Sequence, residues 1–147
     1  GLSNIAGGWF SDKLIANGFS VNNARKTVMG IAAVLTTSMF FITTVSTAEL
    51  AVALMAVFMF AHGFWITNYI TSISDIFGDK GTATVVGLSG TAGAVSSLII
   101  NPMIGVIVQN YSYSPLWMAA GFLYPIAFVF FISMISIKKQ TIIYTSV

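Results

Sequence analysis

The chain has 147 residues, six basic and four acidic, for a net charge of +2; 56% of the residues are hydrophobic and 7% charged, and the mean hydropathy is +0.90. Soluble domains carry roughly 25% charged residues, so this composition excludes a soluble globular domain and points to an integral membrane protein. With no cysteine, a disulfide framework, a cysteine-ligated metal cluster and a cysteine nucleophile are excluded, and the scattered charges read as loops rather than a nucleic-acid patch.

In chain order, Gly1 to Phe10 reads as the last turns of a helix, since ten residues cannot span a bilayer. A glycine in place of an initiator methionine adds the expectation that the helix begins upstream. Ser11 to Lys26 carries Asp12, Lys13, Arg25 and Lys26 around Asn17-Gly18 and Asn22-Asn23, which predicts a solvated, turn-containing loop. Four apolar stretches follow, at 27–48, 50–74, 81–108 and 116–137, each long enough to cross a hydrocarbon core that takes about 20 helical residues. They are separated by a tight turn at Thr47 to Glu49, a charged loop from Asp75 to Lys80, and the polar, aromatic turn Gln109 to Pro115. A short tail, 138–147, ends the chain. The fold expected is therefore all-α, with four transmembrane helices. All six bases, Lys13, Arg25, Lys26, Lys80, Lys138 and Lys139, fall on one side of this arrangement, while the opposite turns carry only Glu49. Because Lys and Arg stay cytoplasmic, both termini are expected in the cytoplasm, in a cell (inner) membrane.

The second span is unusual. In AHGFWITNYITSISDIF, Ala61 to Phe77, the residues His62, Trp65, Asn68, Tyr69 and Ser72 fall within an arc of about 120° on a helix of period 3.6. A polar face inside the bilayer must meet something polar. By helical rise, Asn68 and Ser89 are expected about 9 and 8 Å to the cytoplasmic side of the midplane, at a common level, with Thr91 nearer the centre. The third span is rich in small residues: Gly87, Gly90 and Ala94 on one stripe, and Gly93, Ser97, Asn101 and Gly105 on another. Such residues let backbones approach closely. With Pro102, which removes a backbone donor, and Asn101 beside it, Gly90 and Gly93 also suit a helix that flexes around a cavity.

These residues carry a resemblance. GGWFSDKLIANGFSVNNARKT is similar to the loop between helices eight and nine of the major facilitator superfamily, in its anion:cation symporter branch. The branch's gating motif of glycine, aspartate and basic residues is matched by Gly8, Asp12, Lys13, Arg25 and Lys26. AHGFWITNYITSISDIF with VVGLSGTAGAV resembles helices ten and eleven of hexuronate transporters, although Gly78-Asp79 stands where such loops often have proline followed by basic residues. The resemblance implies that the chain corresponds to the last four of twelve helices. It further implies secondary transport of an organic anion, a hexuronate or related sugar acid, by proton symport, with the coupling acid and the arginine for the substrate carboxylate on helices outside this chain.

The substrate-binding candidates are then His62, able to hydrogen-bond a hydroxyl or change charge, Trp65, able to stack on a sugar ring, and Asn68, Tyr69, Ser89 and Thr91. Each has an ordinary structural role as the competing reading. Asp12 could simply solubilise a loop, and Asp75 suits a helix end or gate better than a proton carrier. No metal or cofactor site and no enzymatic centre is expected. Two other classes are alternatives. A free-standing four-helix exporter working as a dimer would be expected to carry a membrane-embedded glutamate, as small multidrug transporters do, and the only glutamate, Glu49, is in a turn; a non-transporting assembly subunit stays open and would be indicated by binding of a partner but no sugar acid. An intramembrane serine protease would pair Ser89 of Gly87-Leu88-Ser89-Gly90 with His62, but about 8 Å of depth separates them at 1.5 Å per residue.

Overall fold

The computed structural model describes residues 1–135 and 137; the expected tail at 138–147, with Lys138 and Lys139, lies outside the described residues. Among those described the chain is all-helical: α1 (Leu2–Ala16), α2 (Val21–Thr36), α3 (Ala48–Asn110) and α4 (Ser114–Met134), with a 3₁₀ segment at Thr37–Phe41.

The expected loop from Ser11 to Lys26 is much shorter than the charges suggested. Helix α1 runs on to Ala16 and closes in a Schellman motif: Phe19 N–H donates to Leu14 O at 3.1 Å and Gly18 N–H to Ile15 O at 3.0 Å. Gly18 takes φ 93°, a conformation open to glycine. Helix α2 starts at once, because the Ser20 side chain caps it by accepting from Asn23 N–H at 3.2 Å. Its buried face, Ala24, Arg25, Val28, Met29, Ala32, Ala33 and Thr36, follows helical spacing. The Thr36 and Thr37 hydroxyls donate back to Ala33 O and Val34 O, a bonding pattern that bends helices, and the chain tightens into the 3₁₀ segment here.

Helix α3 begins at Ala48, capped by Thr47, whose side chain accepts from Leu50 N–H at 3.4 Å, with Glu49 in its first turn. It includes both the second and third expected spans. The loop expected at Asp75 to Lys80 is reduced to one non-helical residue, Gly78, at φ 63° and ψ −171°. That residue reverses the chain. Tyr69 and Ser89 are 20 positions apart, so a straight helix would separate them by about 30 Å, yet their hydroxyls share a 2.9 Å hydrogen bond. Past the turn the backbone is tight, since a Cβ on Gly81 would come within 2.9 Å of the Phe77 Cβ. Helix α3 is thus two arms, 48–77 and 79–110, folded back on each other. Among its residues Gly78 alone departs from helical geometry, so the bend lies there and Pro102 stands within continuous helix.

Helix α1 lies against the first arm at backbone distance. A Cβ on Gly7 would come within 2.9 Å of the Phe64 Cα, and Gly63 faces Ser3 and Asn4; small residues permit such an approach. Helix α4, entered through a turn at 111–113, packs on α2 and the 3₁₀ segment, with Gly121 under the Phe40 ring and Gly30 under Phe128. Helices α3 and α4 are both long and apolar enough to cross a membrane, and most of their large apolar side chains are exposed. In water that would be a very large apolar patch; around a membrane protein it is the surface that lipid or further helices cover.

Candidate functional site

A cleft of about 610 Å³ opens between the first arm of α3 and α4. His62, Trp65, Ile66 and Tyr69 line one wall, and Tyr124, Ala127, Phe130, Phe131, Met134 and Ile135 the other. The helical spacing of 62, 65, 66 and 69 puts them on one stripe of the arm. His62 Nδ1 and the Tyr124 hydroxyl share a 2.5 Å hydrogen bond across the cleft. Tyr124 is also the hub of the aromatic wall, meeting Trp65 edge-on at 5.3 Å and Phe58 at 5.9 Å, distances at which aromatic pairs attract. The walls thus combine ring faces with hydroxyl and imidazole groups, and no cationic side chain is among the described lining residues.

Of the expected substrate residues, the structure brings His62, Trp65 and Tyr69 together on this cleft. Ser89 stands behind it, bonded to the Tyr69 hydroxyl from the second arm. The level at which it meets the first arm is one residue beyond Asn68. Asn68 itself turns away. It is fully buried against α1, with Nδ2 donating to Gly7 O at 3.1 Å and to Phe64 O at 3.0 Å, so it ties two helices together and does not line the cleft. Thr91 donates to Gly87 O of its own helix and is exposed, as are Gly90, Gly93, Asn101 and Pro102. His62 and Ser89 are bonded to different tyrosines, so no serine–histidine dyad is assembled.

Tyr124 is the residue that sequence reasoning missed. The signal was a lone hydroxyl-bearing aromatic about 4 Å from the midpoint of the expected fourth span, at the depth of His62.

A second polar centre joins α1, α2 and the first arm. Arg25, 7% exposed, donates from Nε to Asp75 Oδ2 at 3.1 Å, and from Nη1 to Asp12 Oδ1 at 3.3 Å and Ser11 Oγ at 2.5 Å. A buried guanidinium needs such compensation, and its planar fork can serve several acceptors at once. The other residues of the expected gating motif are placed differently. Lys13 lies over the Trp9 ring at 4.7 Å, Lys26 donates to Ile132 O at 3.4 Å, and Gly8 sits beside Thr67. Asp75, read from sequence as a helix-end or gate residue, is the α3 member of this cluster. No group of three or more His, Cys, Asp or Glu side chains that could hold a metal ion occurs among the described residues.

The chain is 30% identical to a probable anion transporter 4, chloroplastic, of Oryza sativa subsp. japonica over 120 residues, 80% of this chain. It is 30% identical to an ascorbate transporter, chloroplastic, of Arabidopsis thaliana over 121 residues, and to the hexuronate transporter of Escherichia coli K12 over 109 residues, 74% of this chain. Over these stretches the chain is similar to proteins named as transporters of anions, ascorbate and hexuronate. It spans 20% to 24% of the length of these relatives. All three are named as transporters. No family model matches the chain, and no solved structure does.

Proposed function

We propose that this chain forms the last four membrane spans of a twelve-helix transporter of the major facilitator type, which moves an organic anion, a hexuronate or related sugar acid, together with protons. The observation that carries this reading is the cleft in which His62, Trp65, Tyr69 and Tyr124 converge. Aromatic faces suit the carbon-bound hydrogens of a sugar ring, and the imidazole and phenol groups suit its hydroxyls. The substrate class draws on the hexuronate and ascorbate named for two of the relatives.

Four spans fit the architecture. The reversal at Gly78 turns the arms of α3 into an antiparallel pair, and α4 is a third span. Helix α2 has 16 residues and the 3₁₀ segment five; at rises of about 1.5 and 2.0 Å they total about 34 Å, enough for a core of about 30 Å. With the bases on one side, the termini are cytoplasmic in the cell membrane. Among the described residues the cleft offers no cation for a carboxylate, and in this reading the arginine that holds it, and the acid that couples protons, belong to helices contributed by the rest of the transporter. The Arg25 cluster ties α1, α2 and the first arm at the cytoplasmic end, where it can act as a gate that holds one conformation.

Uptake of labelled glucuronate or galacturonate by the full-length gene product in vesicles tests this. The expected result is accumulation driven by an inward proton gradient and abolished by a protonophore. Accumulation that follows a sodium gradient and ignores the proton gradient would contradict proton symport; absence of uptake of any sugar acid would contradict the substrate class.

A further inference from the structure

A second groove runs between α2 and α4. Two clefts, of about 360 and 260 Å³, adjoin at Gly30 and Phe128, which line both. One end is polar, with Asn23, Lys26 and Thr27; the other is wholly apolar apart from Thr37, whose hydroxyl is bonded back to Val34 O. At their junction Gly30 lets the Phe128 ring close in, since a Cβ there would stand 3.0 Å from Cζ. From Lys26 to Thr37 the groove is about 17 Å long by helical rise, close to half of a hydrocarbon core of about 30 Å. It is one leaflet deep, with its cation at the headgroup end.

Among the described residues no carboxylate pairs with the charge at that end. Both described ion pairs belong to Arg25, whose partners Asp12 and Asp75 come from α1 and α3. The described partner of Lys26 is a carbonyl, Ile132 O, at 3.4 Å, and an ammonium has three donors. A lysine beside an apolar groove keeps its stem on the groove and its head at the interface, and basic pockets between spans on the cytoplasmic side attract anionic headgroups.

We propose that this groove binds one anionic phospholipid, with its phosphate at Lys26, Asn23 and Thr27 and an acyl chain lying past Gly30 along Val34 and Val129. The inference rests on the membrane placement given above and not on which anion is transported. Native mass spectrometry of the protein, released from micelles containing dioleoyl phosphatidylglycerol or dioleoyl phosphatidylcholine, tests it. About five-fold higher occupancy by the phosphatidylglycerol is expected, the size of the effect of one lysine near an anionic headgroup. Lys26→Gln should bring the two lipids to equal occupancy. Val34→Trp, at an exposed position, should lower occupancy by both lipids by obstructing the acyl seat. Equal occupancy in the unaltered protein, or a preference that survives Lys26→Gln, overturns the headgroup site. Occupancy unchanged by Val34→Trp overturns the acyl seat, and displacement of the lipid by millimolar glycerol phosphate shows a free-phosphate site instead. Lipid occupancy is read without uptake, so failure of either proposal leaves the other measurable.

Discussion

The two arms of α3 are alike in composition and opposite in circumstance. In the first, Ala61, Gly63, Asn68, Ser72 and Ile73 are buried against neighbouring helices. In the second every residue from Thr91 to Pro102 is exposed, and a Cβ placed on Gly87, Gly90, Gly93 or Gly105 would meet nothing within 4 Å. Both arms carry small and hydroxyl-bearing residues. A glycine in a membrane helix therefore acts as a packing device where a partner's backbone comes to it, as Phe64 comes to Gly7, and otherwise leaves a smooth surface. The candidate cleft follows the same division, since its α3 residues lie on the first arm and Ser89 meets that arm through its hydrogen bond to Tyr69.

Arg25→Ala should open the largest gap between the arms' behaviour. It strips the buried partner from Asp75 at the base of the first arm, and breaking such a pair costs about 3 kcal/mol, less what solvent recovers for the more exposed Asp12. A clear fall in Tm in detergent is expected. Gly7→Val comes next, at about 2 kcal/mol for overpacking against the Phe64 backbone, read in the same assay. Replacing Tyr124 by Phe should remove the His62 hydrogen bond for about 1 kcal/mol, with no loss of helix by circular dichroism. Tyr69→Phe is smaller again, about 0.6 kcal/mol for one interhelical hydrogen bond. Its signature is geometric: spin labels on the two arms should show a broader distance distribution. At the bottom of the scale, Gly90→Leu should leave the Tm of this chain unchanged, and a fall as large as that of Gly7→Val would break the contrast.

Much of this was legible beforehand. The all-α character, the turn between Gln109 and Pro115 and the convergence of His62, Trp65 and Tyr69 follow from hydropathy and a 100° period. The extent of α1 and α2 did not, because charge was read as loop. Lys13 and Arg25 are helical: one rests on an indole and the other is neutralised by two carboxylates from distant helices. Helical periodicity grouped Asn68 with His62, Trp65 and Tyr69, whereas the structure turns it away from their cleft. It could not say that α1 would bring the carbonyl of Gly7 to it, 61 positions away. Tyr124 escaped because a single tyrosine in an apolar run has no period, and its importance comes from the helix opposite.

The decisive measurement is the uptake of labelled galacturonate by the full-length transporter carrying His62→Ala or Tyr124→Phe, beside Thr91→Ala on the bare arm. In the cleft variants kcat/KM is expected to fall about tenfold, the size of one lost hydrogen bond to a buried polar group, and for Thr91→Ala to stay unchanged. Unaltered uptake in both cleft variants, with loss in Thr91→Ala, would contradict the cleft assignment and move the substrate site to the second arm.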